Sequence, residues 1–409
     1  MTINPAAARP EAMRRYNMSQ VLREVHRNGA VTRAELTQRL GLSRSTIGVL
    51  VTELVGLDVL RESVPNGGTR AGRPSHVVRP HDVGPYVVAV DVDVTQVVTA
   101  AVGIGGMVLA RHVVETGELP PTPTAVAGII VDAVPVLQSM MRHDFGPEAI
   151  GVSVPGTVDR HSGTVGIAPN LEWRDAALAQ TLADLVSPSF PVYVGNDADL
   201  SILAEHTRGA ARESPDAVYL IGRFGVGAGI IANGTALRGG DGHAGEVGHN
   251  VVDVTGPPCH CGKRGCLETY IGAVALLSAA GFDGPPTTER VREMLAAAHD
   301  GDPVPRAAVA TVARALGRGL ASLVNTLNPQ LVVLGGSLSD VLELARDELE
   351  EALATYTLEP PYETVRLSPP GLGDDSALLG AAEIAFTELL DDPSSARLRP
   401  WRSRESVPG

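Results

Sequence analysis

The sequence predicts an α/β body preceded by a DNA-binding head of the winged helix-turn-helix type. Residues 10–80 contain three segments with helix-forming patterns and residues that can cap helices. Two strand-like runs around a Gly- and Arg-rich loop follow. Strand-like and helical segments then alternate from residue 84 to residue 391, which is the pattern of α/β proteins. A polar, Pro-containing stretch at 392–409 is predicted to be a disordered tail.

The composition is that of a globular chain whose charge is unevenly distributed. Of the 409 residues, 44% are hydrophobic and 20% are charged, which is ample material for a core. The net charge is −14, but residues 1–80 contain twelve Arg against six Asp and Glu, so the head carries +6 and the remainder −20. A basic head on an acidic body is typical of a protein whose head alone contacts nucleic acid.

The chain has no feature that predicts a membrane or secreted protein. We find no run of about 18 consecutive apolar residues. The N-terminal basic residues are not followed by the apolar segment of a secretory signal. We therefore expect a cytoplasmic protein without contact to a membrane.

The head is predicted to contain three helices. Residues 14–28 carry apolar residues at helical spacing. Thr32 and Glu35 form a capping-box pattern for a second helix that ends at Gly41. Ser43 is predicted to cap a third helix. The inward-facing positions of this third helix are Ile47, Leu50 and Leu54.

A short helix, a turn and a capped third helix form a helix-turn-helix, whose third helix lies in the major groove. The loop NGGTRAGRP between the two strand-like runs is typical of a wing that reaches a minor groove or phosphates. Gly48 and Val49 are expected on the outward face of the third helix, where neither side chain can hydrogen-bond a base edge. A helical bundle for protein contacts is the alternative. The residues expected to contact DNA are Ser43, Arg44, Ser45, Thr46, Arg70 and Arg73.

In the body, Val-rich runs broken by Gly predict two or three strands within residues 86–112, followed by a helix near 123–142. Further along lies a cluster of three cysteines, Cys259, Cys261 and Cys266. An odd number at such close spacing favours a metal site over disulfides, in a reducing compartment.

Three thiolates and one imidazole favour a closed, tetrahedral, structural zinc site. Gly262 and Gly265 would let the loop fold around the ion. The nitrogen donor is open among His243, His249 and His260 on these grounds. Three reduced thiols without a metal are the alternative.

Seven motifs of the body occur in an order and spacing that resemble the ROK family, which groups bacterial repressors and sugar kinases. The motifs are SVPGTVD (153–159), APNLEW (168–173), GNDAD (195–199), GVGAGI (225–230), GHAGEVGH (242–249), CHCGKRGCLE (259–268) and LNPQLVVLGG (327–336). The resemblance covers roughly residues 10–390. It implies an actin-like ATPase fold of two lobes with a sugar in the cleft between them, and the winged head is the mark of the repressor branch. The lobes would be residues 84–200 and 201–391, the second carrying the zinc loop and a final helix that returns to the first.

The resemblance also implies the sugar-binding residues, since a sugar requires several converging polar side chains. These are Asn170, Asn196, Asp197, Glu246, His249 and Glu268. The family's Gly-His motif matches Gly248-His249, which makes His249 the preferred fourth zinc ligand, with its other ring nitrogen toward a sugar hydroxyl. Metal loss would then also weaken sugar binding, because the loop carries Glu246 and Glu268.

The first phosphate-binding segment of the family's kinases is altered in this chain. Asp197 matches the family's catalytic base, but the kinase pattern Asp-x-Gly-Gly-Thr-Lys corresponds to residues 91–96, DVDVTQ. Asp93 and Val94 replace the glycines and Gln96 replaces the lysine. Asp93 adds a negative charge, and two unit charges about 4 Å apart repel by roughly 4 kcal/mol at an effective dielectric near 20.

The second segment is altered as well. The kinase pattern Gly-Thr-Gly-x-Gly-x-Gly corresponds to residues 223–229, RFGVGAG. Phe224 takes the place of a hydroxyl that could bind phosphate, and Arg223 would compensate only in part. Because phosphoryl transfer depends on positioning and charge stabilisation, we expect no catalytic residues and no bound ATP.

These observations predict a repressor of genes for carbohydrate uptake or metabolism. A homodimer or tetramer would bind a palindromic operator, and a sugar or sugar-phosphate effector would change the angle between the lobes and hence the operator affinity. Two alternatives stay open. One is an active, glucokinase-like sugar kinase with an added DNA-binding head, and the other is a regulator without ligand that uses its body only to dimerise.

Overall fold

The head is a three-helix unit with a small antiparallel sheet. It is seen in a computed structural model that describes residues 5–64, 75–117, 120–141, 145–186, 191–240, 242–282 and 286–396, with side chains from residue 10. The elements of the head are α1 (Pro5–Asn28), β1 (Val31–Thr32), α2 (Arg33–Leu40), α3 (Arg44–Gly56), β2 (Leu60–Ser63) and β3 (Val77–Pro80). The strand order is β1-β3-β2.

The capping residues predicted for the second helix of the head form the expected hydrogen bonds. The Thr32 side chain accepts a hydrogen bond from the Glu35 backbone N–H, and the Glu35 carboxylate accepts one from the Thr32 backbone N–H. Gly41 ends α2 with φ 65°. α1 starts earlier than the predicted residue 14, because Ala residues of high helix propensity continue the helix toward the N-terminus. The wing loop, with Arg70 and Arg73, lies outside the described residues.

The first lobe is built on a five-stranded sheet of order β11-β7-β4-β5-β6, in which β4, β5 and β6 are antiparallel and β7 and β11 run parallel to β4. A small sheet of order β10-β9-β8 lies beside it. The elements are β4 (Tyr86–Val92), β5 (Gln96–Gly103), β6 (Met107–Glu115), α4 (Pro123–Met141), β7 (Ile150–Val154), β8 (Val158–Asp159), β9 (Thr164–Ala168), β10 (Trp173–Ala176), α5 (Leu178–Leu185), β11 (Val192–Asn196) and α6 (Asp197–Arg208).

The second lobe repeats the strand order of the first, with its sheet arranged β14-β13-β12-β15-β16. Its strands and helices are β12 (Ala217–Gly222), β13 (Val226–Ala232), β14 (Thr235–Ala236), α7 (Glu268–Ile271), α8 (Ala273–Ala279), α9 (Thr288–His299), α10 (Pro303–Leu327), β15 (Leu331–Gly336), α11 (Ser337–Leu344), α12 (Arg346–Tyr356), α13 (Glu359–Thr364) and β16 (Arg366–Ser368). Two further helices, α14 (Ser376–Ala385) and α15 (Thr387–Asp391), follow β16 in the chain. The predicted fold class, a two-lobed α/β body behind a winged head, is confirmed.

The end of the described chain returns to the first lobe. α14 lies on β4 and β7, where a Cβ atom at Gly151 would be only 1.9 Å from the carbonyl oxygen of Ala381. The predicted tail is ordered where it begins, because a 3₁₀ turn at Pro393–Ser395 buries Pro393 and contacts α1. Residues 397–409 lie outside the described residues.

Two helices, α4 and α10, have the length and composition of a membrane span. α4 packs Val126, Ile130 and Leu137 into the core, and two thirds of the apolar window of α10 are buried. Core helices of globular proteins meet the same criterion, so these helices are weak evidence for a span.

Candidate functional site

A cleft between the lobes, with a volume of about 1390 Å³, brings the predicted sugar-binding residues together. It is lined by residues at the carboxyl ends of β7, β11 and β12 and by the loops of the second lobe. Ligands in α/β folds bind at such strand ends. The six predicted residues in its wall are Asn170, Asn196, Asp197, Glu246, His249 and Glu268.

Asn196 serves first as a helix cap. Its Oδ1 accepts hydrogen bonds from the backbone N–H groups of Ala198 (2.9 Å) and Asp199 (3.1 Å), and its Nδ2 donates to the carbonyl oxygen of Gly156 (2.8 Å). Only one of its side-chain N–H groups therefore remains for a ligand. The cap fixes the first turn of α6, which carries Asp197.

Asp197 is a buried carboxylate, with 6% of its surface exposed. Burial raises the pKa of Asp197 to about 6, against the opposing effect of the Arg223 guanidinium. Its Oδ1 accepts a hydrogen bond only from the adjacent Ala198 N–H (2.9 Å) among the described contacts. The carboxylate is thus free to accept a hydrogen bond from a sugar hydroxyl.

Asp199 also lines the cleft, and sequence reasoning did not include it. Burial and the charge of Asp197 raise the pKa of Asp199 to about 7. The GNDAD motif contains this second carboxylate, but two residues along a helix correspond to a rotation of about 200°, so helical spacing alone did not place Asp199 beside Asp197 in the cleft.

Glu268 joins the cysteine loop to the second-lobe sheet. One carboxylate oxygen accepts a hydrogen bond from the Val226 backbone N–H (3.0 Å), and the other lies 2.9 Å from His260 Nδ1. Glu246 is open to the cleft, with half of its side chain exposed, and its carboxylate lies 4.0 Å from His249 Nε2. Asn170 lies half-buried in the 3₁₀ turn Pro169–Leu171.

The four predicted zinc ligands form one cluster, in which the ligand atoms of His249, Cys259, Cys261 and Cys266 lie within 4.8 Å of one another. Cys261 Sγ lies 3.7 Å from Cys266 Sγ, and Cys259 Sγ lies 3.7 Å from His249 Nδ1. Ligands arranged tetrahedrally around zinc at about 2.3 Å lie about 3.7 Å apart. The cluster therefore fits zinc.

The backbone of the loop is folded tightly around this cluster. The Cys259 N–H donates to the Lys263 carbonyl oxygen (2.8 Å), and Gly262 has φ 84°. A Cβ atom at Gly265 would be 1.5 Å from the carbonyl oxygen of Asp253, so only glycine fits there. The loop geometry thus depends on the two glycines noted in the sequence.

The rival nitrogen donors differ from His249 in their surroundings. His260 Nδ1 is 4.0 Å from Cys259 Sγ but only 2.9 Å from Glu268. With His249 and Glu268 it forms a second possible ligand group. His243 is exposed at the cleft and belongs to neither group. His249 Nδ1 faces the Cys259 thiol and its Nε2 faces Glu246 in the cleft. This orientation would allow one ring nitrogen to bind zinc and the other to contact a sugar.

In the altered first phosphate segment, residues 91–96, two backbone N–H groups donate hydrogen bonds within the segment itself. The Asp93 N–H donates to the Gln96 carbonyl oxygen (2.9 Å), and the Val94 N–H donates to the Asp93 carboxylate (2.7 Å). The turn between β4 and β5 therefore offers neither N–H group to a phosphate. The Asp93 carboxylate occupies one of them instead.

Arg223 is committed to a salt bridge between the lobes. Its Nη2 donates to Asp91 Oδ2 (3.0 Å), while Ser153 Oγ donates to the other oxygen of Asp91 (2.9 Å). The charges of Asp91, Asp93 and Asp197 raise the pKa of Arg223 above its ordinary value, against the opposing effect of burial. These carboxylates balance the charge of the guanidinium, but its Nη1 is buried without a hydrogen-bond partner among the described residues and can still donate to a ligand.

In the head, the predicted DNA-contacting side chains lie at the start of α3. Ser43 caps the helix by accepting a hydrogen bond from the Thr46 N–H (3.1 Å), and its Oγ also lies 2.8 Å from the hydroxyls of Ser45 and Thr46. Arg44 is exposed, as is Val49 at 62%. Gly48 is half-buried beside Arg33 instead of fully outward.

Comparison with known proteins adds independent evidence. The ROK family model matches residues 87–388. The Bacillus subtilis xylose repressor is 28% identical over 386 residues, which are 93% of this chain and 97% of the repressor. The glucokinase of Streptomyces coelicolor is 30% identical over 315 residues, which are 73% of this chain and 96% of the kinase.

The similar solved structures also include a regulator that matches nearly the whole chain and kinases that match about three quarters of it. A ROK family transcriptional regulator, a homologue of the Escherichia coli Mlc protein, is similar with a TM-score of 0.75 at 24% identity and covers 93% of this chain and 97% of its own. A ROK glucokinase from Streptomyces griseus, in complex with glucose and AMPPNP, has a TM-score of 0.62 at 29% identity and covers 74% of this chain and 99% of its own. The kinases are thus spanned almost fully while about a quarter of this chain has no counterpart in them.

Proposed function

This chain belongs to the ROK family, and from that premise we propose that it is a sugar-responsive transcriptional repressor. The observation that carries the proposal is the extent of the similarity. The xylose repressors match 93% of the chain, whereas the glucokinases match about three quarters of it or less. The head accounts for the difference, and its capped helix-turn-helix and antiparallel wing strands are the elements that a DNA-binding module requires.

We propose that the body binds a sugar without phosphorylating it. The two backbone donors of the first phosphate segment are used internally, and Asp93 would repel phosphate oxygens. Arg223, in the second segment, is held by Asp91. The ATP-dependent sugar kinase is the competing function, because Asp197 and the glucokinase relatives favour it.

The effector is proposed to contact Asn170, Asn196, Asp197, Glu246, His249 and Glu268. Asp197 supplies the charged acceptor, since burial strengthens a hydrogen bond to an ionised group. Xylose is the first candidate, because the chain matches repressors of that name over nearly their whole length. A hexose or a sugar phosphate is the second.

Zinc is proposed as a structural ion held by His249, Cys259, Cys261 and Cys266. With four protein ligands no position stays open for catalysis, and the ion would fix the loop that carries Glu268. His249 would keep its second nitrogen for the sugar.

The DNA contacts are proposed to come from Ser43, Arg44, Ser45 and Thr46 at the start of α3 and from Arg70 and Arg73 in the wing. A homodimer working in the cytoplasm would set two such heads on a palindromic operator. Because Ser43 also caps α3, its replacement would affect the helix as well as the DNA.

The proposal is tested with DNA that the wild-type chain selects from a random duplex pool. Fluorescence anisotropy then measures the affinity for this duplex with and without xylose, glucose and N-acetylglucosamine. We expect one sugar to weaken binding by about tenfold or more, which corresponds to about 1.4 kcal/mol. We expect Arg44→Ala to weaken DNA binding without changing sugar affinity, and Arg346→Ala, on a remote exposed helix, to change neither.

Two results would contradict the proposal. One is DNA affinity that no sugar or sugar phosphate changes. The other is ATP consumption with any of these sugars in a coupled assay, which would favour the kinase with an added head.

A further inference from the structure

Three ionisable side chains meet at the junction of the head with the body, and we call them the hub: His26 of α1, Arg208 of α6 and Glu383 of α14. Their side chains are 3%, 11% and 8% exposed. Arg208 Nε donates to Glu383 Oε1 (3.1 Å), and His26 Nε2 lies 3.1 Å from Glu383 Oε2. The hub thus joins three helices that are far apart in sequence.

Further hydrogen bonds fasten the end of α6 to the end of α1. Arg208 Nη1 donates to the carbonyl oxygen of Gly105 (2.6 Å), and the Gly105 N–H donates to His26 Nδ1 (3.1 Å). Arg27 Nη2 donates to the carbonyl oxygen of Arg212 (3.0 Å), just beyond α6. The Arg212 side chain is hydrogen-bonded to Asn28 in turn. The last turn of α1, which leads into the helix-turn-helix, is therefore held by the last turn of α6.

The predicted sugar-binding residues lie at the opposite end of α6, although the cleft extends along the helix as far as His26 and Glu383. The first turn of α6 contains Asp197 and Asp199 and is capped by Asn196. The helix has 12 residues, so these two ends are separated by about 18 Å at a rise of about 1.5 Å per residue. One straight helix therefore connects the proposed effector site with the junction to the head.

α6 is packed against both lobes along its length. A Cβ atom at Gly380 of α14 would lie 1.9 Å from the carbonyl oxygen of Leu200, and one at Gly229 of β13 would lie 2.3 Å from that of Ala198. Backbones this close cannot slide past each other without moving the whole helix. A change in the angle between the lobes would therefore displace α6 as a rigid body.

We propose that α6 couples the sugar site to the head, with the Arg208 hub as the contact that transmits its displacement to α1. This inference rests on the proposed function and adds its route. Buried, hydrogen-bonded charges suit such a contact, since they are satisfied in few geometries and lose their partners when displaced.

The test compares coupling and binding in the full chain. The ratio of DNA affinities without and with xylose, or with whichever tested sugar binds, measures the coupling. In Glu383→Gln, which keeps the shape and removes the charge, we expect this ratio to fall to below about twofold. Sugar affinity in the same variant should stay within about threefold of the wild type, because Glu383 lines the cleft beside Arg208, at the end of α6 opposite Asp197.

A second variant distinguishes a loss of coupling from a loss of folding. Arg208→Met with Glu383→Leu replaces the charges by apolar groups of similar volume, which is often neutral for stability. Arg23→Ala is the matched control, because it removes a head–body ion pair with Asp391 that does not involve α6. It should keep the coupling ratio of the wild type.

The outcomes separate the two proposals. If the hub variants bind sugar and DNA and keep the wild-type ratio, α6 is not the route and the inference is overturned. Equal loss of coupling in Arg23→Ala would also overturn it, since any head–body contact would then suffice. If the wild type itself has a ratio near one with every sugar, the proposed function fails first.

Discussion

Asp197 is a single residue at which function and stability oppose each other. Its carboxylate is buried with only one described hydrogen bond, so the folded chain holds a charge that water would solvate better. Burial raises the pKa of Asp197 to about 6, from an ordinary value near 3.8. A residue that destabilises its own fold in this way is typical of a binding site.

We therefore predict that Asp197→Asn stabilises the sugar-free protein at pH 7. A carboxylate whose pKa is raised by folding favours the folded state only when protonated, so its contribution falls as pH rises through 6. The gain from the neutral amide should be about 1–3 kcal/mol at pH 7 and should shrink as pH falls from 6 toward 4. Urea unfolding at a series of pH values measures it.

The same variant should bind its sugar about 10- to 100-fold more weakly, because a hydrogen bond to a charged acceptor contributes about 1.5–3 kcal/mol. Isothermal calorimetry at pH 7 measures this affinity. Asp132→Asn, on the exposed surface of α4, is the control and should change neither stability nor binding. An Asp197→Asn protein that is less stable and binds sugar normally would show that the carboxylate has a structural role instead.

At the scale of single elements, the cysteine loop gives a prediction that separates two histidines. We expect His249→Ala to lose bound zinc and His260→Ala to retain it, since His249 Nδ1 lies nearer to the Cys259 thiol. Native mass spectrometry should detect one zinc per chain in the wild type and His260→Ala, and none in His249→Ala. Sugar affinity should fall in His249→Ala, both through the loop and through the direct contact.

Chelation of the wild type provides the complementary measurement, in which the melting temperature and the sugar affinity should fall together. Because His260 hydrogen-bonds Glu268, its replacement will weaken sugar binding less and without metal loss. Zinc lost in His260→Ala and kept in His249→Ala would instead assign the fourth ligand to His260, beside the three cysteines.

The elements also show how far sequence reasoning reaches. The caps of α2 and α3 could be predicted because Thr32, Glu35 and Ser43 act on backbone groups within three residues. The cysteine cluster could be predicted because Cys259, Cys261 and Cys266 are also close together in the sequence. The hub could not, since Arg208 is 182 residues from His26 and 175 from Glu383, and no local pattern links them.

Some predicted site residues lie in the cleft but also form hydrogen bonds that the sequence did not indicate. Asn196 was expected to bind sugar, yet its Oδ1 is used to cap α6 and one of its Nδ2 hydrogens is donated to the Gly156 carbonyl oxygen. Arg223 was expected to compensate partly for a missing phosphate ligand, whereas it bridges to Asp91 across the lobes. Such assignments depend on tertiary neighbours, which composition and spacing do not specify.

At the scale of the whole molecule, the head shares a buried core with one face of the first-lobe sheet, while the other face packs against α4 in a separate core. A single cluster includes Leu22 of α1, Leu50 of α3, Val98 of β5 and Phe386 beside α14. The second lobe has a cluster of its own around α10 and β15. A head that is continuous with the first lobe cannot reorient freely, so its orientation will follow the conformation of the body.

This continuity predicts how the protein melts. Differential scanning calorimetry should show the head unfolding with the first lobe in one transition, because residues of one buried core lose their contacts together.

Sugar at 100 times its Kd should stabilise the folded state by about 2.7 kcal/mol and raise the temperature of that transition. ATP should add nothing, with or without sugar. Asp197→Asn, which is expected to bind sugar about 10- to 100-fold more weakly, serves as the control and should be stabilised by only about 0.4–1.4 kcal/mol at the same sugar concentration. A separate low-temperature transition of the head that sugar leaves unchanged would contradict the shared core, and the proposed coupling through α1 would then lack its mechanical basis.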